Sequence, residues 1–259
     1  MIPRIIHLCW FGKGKYPELA EMCINSWKKI LPNYKIMIWN ENSFDVNSQK
    51  YTREAYQQKK WAFVSDYVRL KALEEYGGVY MDTDVEVIRD FSELLFQSDF
   101  VSSTLEGGLI TAGFIATVAH HPFICELKKM YENDTFLKDN KSFQFTMNPL
   151  LFTETAMKMY NFSIGNKPFI SQNFTIFTLD YFMPYRKSLF SKDLYAHNNY
   201  YLTENTYTIH HDMGSWGKSS KTNWWKRALA RQIIPQRIYL RMKEKKYIDY
   251  MSKHDKSRK

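Results

Sequence analysis

Cysteine is scarce in this chain of 259 residues, and long apolar runs are missing. The three cysteines, Cys9, Cys23 and Cys125, are an odd number without metal-ligand spacing, so we expect buried, reduced thiols and a reducing compartment. No stretch approaches the roughly 18 apolar residues of a membrane span, and the N-terminus lacks a signal-peptide apolar segment. The sequence therefore predicts a cytoplasmic globular protein, most simply one domain with an appendage.

Positive charge is concentrated at the C-terminal end. Residues 218–259 hold 14 lysines and arginines against 3 acidic residues, a net charge of +11, whereas the whole chain carries +9. We therefore expect a main domain at 1–217 and a basic amphipathic extension at 218–259. A basic helix with tryptophan on its apolar side is typical of a segment that binds an anionic membrane surface. The sequence favours equally a helix that packs on the domain and exposes its charged face to solvent. Nucleic acid is not expected, because residues 1–217 are net negative and carry no nucleic-acid motif.

The most informative stretch is 61–87, WAFVSDYVRLKALEEYGGVYMDTDVEV. Apolar residues at three- and four-residue spacing predict a helix with one apolar stripe, and Gly77-Gly78 predicts its end. Val79 to Met81 then predicts a buried strand that runs into Asp82-Thr83-Asp84. Alternation along an extended strand would put both carboxylates on one side. Two carboxylates held there need a cation, and Mg²⁺ or Mn²⁺ prefers such oxygen ligands.

The chain opens with a strand at 3–9, a helix at 17–30 and a strand at 34–39, which predicts a parallel pair with a crossover helix. Ligands bind such sheets at the carboxyl ends of the strands, so Trp10 and Asn40 are expected at the working edge. His7, inside the first strand, is interpreted as a core histidine with its hydrogen bonds satisfied.

Later segments predict short helices at 91–96, 122–131 and 149–159, and strands at 85–87, 100–103, 174–179 and 207–209. The last strand is followed by His210-His211-Asp212-Met213-Gly214-Ser215-Trp216. An imidazole at that point can complete a metal shell begun by Asp84. Glu86 is interpreted as a structural residue rather than a metal ligand.

A helix carrying Ser65-Asp66 and Arg69, then Gly-Gly, an apolar strand and Asp-x-Asp, resembles the sugar-nucleotide motif of glycosyltransferase family 32. The clostridial glucosylating toxins carry a similar arrangement. The opening Ile6-His7-x-x-Trp10 and the closing stretch 210–216 are similar to two further motifs of the family. The resemblance covers about residues 3–217 and implies a GT-A-like α/β fold, with a mostly parallel central sheet and helices on both faces. Many relatives have a sugar-contacting asparagine where this chain has Ala112.

The resemblance also implies roles for individual residues. The implied metal ligands for Mn²⁺ or Mg²⁺ are Asp82, Asp84 and His210, with His210 preferred over His211. The implied donor-binding residues are Trp10 on the base, Asp66 on the nucleoside, Asp82 on the ribose, and Arg69, Ser215 and Trp216 on the diphosphate. Asp82, Asp84 and Arg69 are the expected catalytic residues.

The expected reaction is metal-dependent, retaining transfer of a hexose from a nucleotide-sugar donor to a hydroxyl of a surface glycan, as in capsule, O-antigen or lipopolysaccharide synthesis. UDP-galactose is the first expected donor and GDP-mannose the second. The acceptor could be a lipid-linked glycan at the inner face of the cytoplasmic membrane, with Glu106 and Asp180 as candidate carboxylates near it. Two other classes are considered. A haloacid-dehalogenase-like phosphatase is disfavoured by Glu86, and a non-catalytic, membrane-associated glycan-binding module by the complete set of site residues.

Overall fold

The computed structural model describes residues 1–137, 148–188 and 193–212. The strands in these ranges are β1 (Ile5–Cys9), β2 (Lys35–Trp39), β3 (Gly78–Met81), β4 (Val85–Val87), β5 (Phe100–Ser103), β6 (Phe114–Thr117), β7 (Phe169–Ser171), β8 (Phe174–Phe177) and β9 (Thr208–His210). The helices are α1 (Glu18–Ile30), α2 (Lys50–Gln57), α3 (Trp61–Tyr76), α4 (Ser92–Leu95), α5 (Pro122–Glu132), α6 (Asn148–Tyr160) and α7 (Leu179–Phe182). The predicted boundary at 217 and the basic extension lie outside the described residues.

Seven strands form one sheet in the order β2-β1-β3-β6-β5-β8-β7. β1, β2 and β3 are parallel, β6 runs the opposite way, β5 and β8 return to the first direction, and β7 reverses again. Five of these seven strands therefore share one direction, which confirms the predicted α/β fold with a mostly parallel central sheet. β4 and β9 pair separately as an antiparallel ribbon.

Alternating side chains of the sheet enter two apolar clusters, one on each face. In β3, Val79 and Met81 belong to one cluster and Tyr80 to the other, as the two-residue period of a strand requires. The cluster around Tyr80 contains residues of α2, α3, α5 and α6. The opposite cluster contains residues of α1, α4, α7 and the β4–β9 ribbon. Helices therefore cover both faces of the sheet, as expected.

The first strand contains the buried histidine that the sequence placed in the core. His7 Nε2 donates to the Gly77 carbonyl at 2.7 Å, and Trp39 Nε1 donates to His7 Nδ1 at 3.1 Å. Burial lowers the pKa of His7, so the imidazole is neutral and both nitrogens are used. The prediction of a core histidine with satisfied hydrogen bonds is confirmed.

Two of the three cysteines are buried as predicted. All three cysteines are free; Cys9 and Cys23 are buried, whereas Cys125 is only half-buried, so that part of the expectation was wrong. Among the helices that the structure describes, none combines the length and apolar character that a membrane span needs.

Helix α3 is more deeply buried than a helix with one apolar stripe. Every residue from Phe63 to Leu70 is buried, including Asp66 and Arg69 at 2% exposure each. The reason is its position, because α2 and α5 pack on its flanks while β1 and β3 lie beneath it. The expectation of a single stripe was therefore wrong, and three polar residues of α3, Ser65, Asp66 and Arg69, are buried in the protein interior.

Two glycines turn the chain from α3 directly into β3. Gly77 and Gly78 have φ angles of +61° and +97°, which favour glycine. A Cβ on Gly78 would lie 2.6 Å from the carbonyl oxygen of Ile5, and one on Gly77 would lie 2.6 Å from the amide nitrogen of Ala119. The pair lets β3 enter the sheet beside β1 with no intervening loop, and so fixes where the acidic residues after β3 emerge.

Helix α5 begins with a buried histidine cap. His121 Nδ1 accepts from the Phe123 amide at 3.3 Å, and Pro122 occupies the first turn, where its missing N–H costs nothing. The imidazole lies against the ring of Phe100, with centroids 5.4 Å apart, and is only 6% exposed. Burial, opposed weakly by Asp99, lowers the pKa of His121 to about 4.

This cap predicts an acid-sensitive contribution to stability. The pKa of His121 is about 4 in the folded chain against 6.5 in the unfolded chain, so stability present above about pH 6.5 is lost as the pH falls towards 4. We expect His121→Asn, which keeps a cap acceptor, to remove about 3 kcal/mol of the pH dependence of unfolding between pH 4 and 7. Urea unfolding of both proteins across that range measures it. Parallel pH profiles for the two proteins would show that His121 is not the titrating group.

Candidate metal and nucleotide-sugar site

The two acidic residues lie in a turn at the carboxyl end of β3. The Val85 amide donates to the Asp82 carbonyl at 3.0 Å, so residues 82–85 reverse the chain rather than extend it. The expectation that strand alternation aligns the carboxylates was therefore wrong. The turn brings Asp82 and Asp84 together and sends β4 out of the main sheet towards β9.

Pairing of β4 with β9 supplies the third residue of the site. Val85 lies opposite His210 in the antiparallel register, and the His211 amide donates to the Asp84 carbonyl at 2.9 Å. His210 Nε2 lies 3.1 Å from Asp84 Oδ1 and 4.0 Å from Asp82 Oδ2. The structure thus brings together three predicted residues from two distant parts of the sequence.

These three residues fit a hard divalent cation. One ligand atom from each of Asp82, Asp84 and His210 lies within 4.8 Å of the others. Two carboxylates and one imidazole suit Mn²⁺ or Mg²⁺, and three protein ligands leave positions for substrate oxygens. Coulombic attraction by Asp84 and Asp212 outweighs burial and raises the pKa of His210 to about 10. Without a metal, a protonated imidazole therefore offsets part of the carboxylate charge.

Asp82 is oriented from below by two buried side chains. The Tyr80 hydroxyl donates to Asp82 Oδ1 at 2.7 Å, and Arg69 Nη1 lies 3.3 Å from the same oxygen. Oδ2 is left facing His210. One oxygen of Asp82 is thus held by the protein and the other is presented to the site.

Arg69 forms a buried ion pair that extends this support. Its Nη2 donates to Asp66 Oδ1 at 2.9 Å, its Nη1 to the Ala112 carbonyl at 2.7 Å and its Nε to the Ser65 carbonyl at 3.3 Å. Burial, opposed by Arg69, raises the pKa of Asp66 to about 7. Arg69 is only 2% exposed in this arrangement, and the predicted contact between Arg69 and the donor diphosphate remains a prediction.

Comparison with known proteins finds a family model that matches the part of the chain around the two aspartates. The family described as "Glycosyltransferase sugar-binding region containing DXD motif" matches residues 17–101, which include α3, the glycine pair and both aspartates. Over this segment, which is shorter than half of the chain, the sequence is similar to the DXD-containing glycosyltransferases. The resemblance stated from the sequence is thereby confirmed.

Two yeast proteins and one solved structure show the range of the similarity. "Inositol phosphoceramide mannosyltransferase 3" of Schizosaccharomyces pombe is 28% identical over 133 residues, 49% of this chain and 36% of that protein. "Mannosyl phosphorylinositol ceramide synthase SUR1" of Saccharomyces cerevisiae is 27% identical over 144 residues, 52% of this chain and 36% of that protein. The chain thus spans little more than a third of the length of these relatives. The PaToxG glycosyltransferase structure superposes with a TM-score of 0.45 at 18% identity, covering 62% of this chain and 70% of that one.

Residues 111–113 form one wall of the site. The Gly113 carbonyl accepts from the Asp82 amide at 3.0 Å, and the Gly113 amide donates to Thr111 Oγ1 at 3.0 Å. A Cβ on Gly113 would lie 3.0 Å from Asp82 Oδ2 and 3.2 Å from His210 Cε1. Ala112 contributes its carbonyl to Arg69 rather than a polar side chain to the sugar. Sequence reasoning missed Gly113 because no local pattern links it to Asp82.

Trp10 and Asn40 follow the carboxyl ends of β1 and β2, on the edge where Asp82 follows β3. Trp10 is half-buried, donates through Nε1 to the Gly14 carbonyl at 2.7 Å, and lies 4.9 Å from the Tyr16 ring between centroids. Trp10 and Asn40 therefore lie at the same edge of the sheet as Asp82, as expected. Stacking of Trp10 on a nucleotide base stays a prediction.

The other predicted site residues have different outcomes. His211 points away from the aspartates and contacts Glu86 at 3.0 Å, and Glu86 has the structural role that was expected. Glu106 lies in the turn between β5 and β6, and Asp180 in α7, where it accepts from Thr203 at 3.4 Å. Their role at the acceptor is untested. Ser215 and Trp216 lie outside the described residues.

Proposed function

We propose that this protein transfers a hexose from a nucleotide diphosphate sugar to a hydroxyl of a glycan or glycolipid, in a reaction that depends on Mn²⁺ or Mg²⁺. The observation that carries the proposal is the convergence of Asp82, Asp84 and His210 within 4.8 Å at the carboxyl edge of β3. When bound, the metal would neutralise the negative charge that develops on the departing diphosphate.

The residues around this set would order the donor. Tyr80 and Arg69 hold one oxygen of Asp82, so its other oxygen faces the site without a large loss of side-chain entropy on binding. Trp10, at the end of β1, offers an apolar face for the base. The family resemblance implies retention of the anomeric configuration. We propose a front-side path, in which the leaving diphosphate accepts the acceptor's proton, because this path needs no nucleophile from the protein.

Two donors are retained, UDP-galactose and GDP-mannose. The names of both yeast relatives include mannosyl transfer and a phosphoinositol ceramide, which supports the mannose alternative and a lipid acceptor. A lipid acceptor also agrees with the proposed contact between residues 218–259 and the inner face of the cytoplasmic membrane. These assignments of donor, acceptor and location are proposals.

A panel of UDP- and GDP-sugars tests the function directly. We expect one donor to be hydrolysed slowly in the presence of Mn²⁺, with release of UDP or GDP, and EDTA to stop the reaction. Calorimetry with the same donors separates binding from turnover. Failure of every donor both to bind and to turn over, with Mn²⁺ present, would contradict the enzyme and favour a glycan-binding module.

A further inference from the structure

The β4–β9 ribbon carries a second set of polar side chains that the proposed chemistry does not use. Glu86 follows Asp84 by two residues, and its carboxylate accepts from two histidines. His197 Nε2 lies 2.9 Å from Glu86 Oε1, and His211 Nε2 lies 3.0 Å from Glu86 Oε2. Glu86 lies in β4, and its hydrogen bond with His211 connects β4 to the end of β9.

The groups at the two ends of this set determine the hydrogen-bond directions. Arg186 can only donate, and it donates from Nη2 to the Tyr200 hydroxyl at 2.8 Å. The Glu86 carboxylate can only accept, so His211 Nε2 donates to it at 3.0 Å. In the tautomer with its proton on Nε2, His211 Nδ1 accepts from the Tyr200 hydroxyl at 2.8 Å. Each bond agrees with the next, and the His211 imidazole has one tautomer with both nitrogens used.

His211 is held through its backbone as well as its side chain. Its amide donates to the Asp84 carbonyl at 2.9 Å, and its carbonyl accepts from Arg186 Nη2. The side chain is fully buried. His211 directly follows the last residue of β9, so the contacts that fix its backbone also fix the backbone that carries the His210 side chain.

We propose that Glu86, Tyr200 and His211 are positioning residues that aim His210 at Asp82 and Asp84. The proposal rests on the proposed function, because it assigns these residues to the same metal site. None of them contacts the metal set with a side chain of its own in the structure described; they act through the backbone of β9. Mutating the residues that support a metal ligand typically lowers metal affinity by about 10- to 100-fold.

Two conservative variants test the proposal. Tyr200→Phe removes one hydroxyl, and Glu86→Gln removes the charge that accepts from both histidines. We expect each variant to weaken Mn²⁺ binding by about tenfold or more, measured by electron paramagnetic resonance of free Mn²⁺ well below the unfolding temperature. In metal-free protein, the imidazole signals of His210 in long-range ¹H–¹⁵N spectra should shift as well.

Glu54→Gln is the matched control. Glu54 accepts from the Leu137 amide at 3.0 Å and its side chain is 16% exposed, close to the 13% of Glu86. It should change neither Mn²⁺ affinity nor the His210 signals. Tyr200→Phe decides the question if Glu86→Gln does not fold.

The two readouts separate this proposal from the proposed function. Wild-type affinity for Mn²⁺ and unmoved His210 signals in both variants, with only a lower unfolding temperature, would show a merely structural role and overturn the proposal. Absence of Mn²⁺ binding by the wild-type protein would contradict the metal-dependent function, and the His210 signals of the metal-free variants would still support or overturn the positioning role.

Discussion

Replacing Asp84 with asparagine should lower metal-dependent hydrolysis of the preferred donor by about 10²- to 10³-fold, the loss typical when one electrostatic contact to the leaving group is removed. The side chain keeps its shape but loses the charge that lies 3.1 Å from His210. Mn²⁺ affinity should fall with activity, because an amide oxygen is a weaker ligand than a carboxylate. Initial rates at saturating donor, over a Mn²⁺ titration, measure both effects.

The control for this variant is Asp45→Asn. Asp45 is exposed and accepts from the Asn47 amide at 2.9 Å, a turn that asparagine also forms. Its activity and Mn²⁺ response should equal those of the wild-type protein. Asp84→Asn with an unchanged rate and an unchanged Mn²⁺ response would remove Asp84 from the proposed site.

The local parts of the fold were predictable because each depends on residues close in sequence. The spacing around Val64 and Val68 predicts a helix, Gly77-Gly78 ends it, and the apolar run after them enters the sheet. The carboxyl edge of β1, β2 and β3 follows from the opening strand–helix–strand pattern. The short elements β7 and α7 were not predicted; β7 enters the sheet by pairing with β8.

The supporting contacts of the site were not predictable from local pattern. The sequence predicts Tyr80 as a buried strand residue, and no neighbouring residue in the sequence indicates that its hydroxyl donates to Asp82. Gly113, Tyr200 and Arg186 reach the site through pairings of β6 with β3 and of β9 with β4, which are distant in sequence. The acidic pair was found for a partly wrong reason, because a turn rather than strand alternation brings the carboxylates together. Residue type identified the candidate ligands, and tertiary pairing determines which side chains hold them in place.

The largest effect on stability is expected at the buried pair in α3. Arg69→Met should lower the free energy of unfolding by about 3–5 kcal/mol, because it leaves Asp66 buried without its cation. The two side chains are 3% and 2% exposed, with 2.9 Å between Nη2 and Oδ1. The loss should be smaller near pH 5 than near pH 8, since an unpaired Asp66 escapes part of the penalty by taking up a proton. Urea unfolding at both pH values measures the difference.

The double variant Asp66→Asn, Arg69→Met separates the cost of the unpaired Asp66 charge from the cost of losing the other contacts of Arg69. It leaves no unpaired charge at position 66, so it should be more stable at pH 8 than Arg69→Met alone, by about 1–3 kcal/mol. Lys71→Met, on the same helix, breaks an exposed pair with Glu75 at 3.3 Å and should cost less than about 1 kcal/mol. Equal losses in the double variant and in Arg69→Met would mean that the guanidinium stabilises the fold through Asp82 and the Ala112 carbonyl instead. In that event, activity and stability would depend on the same two contacts, and no substitution of Arg69 could separate them.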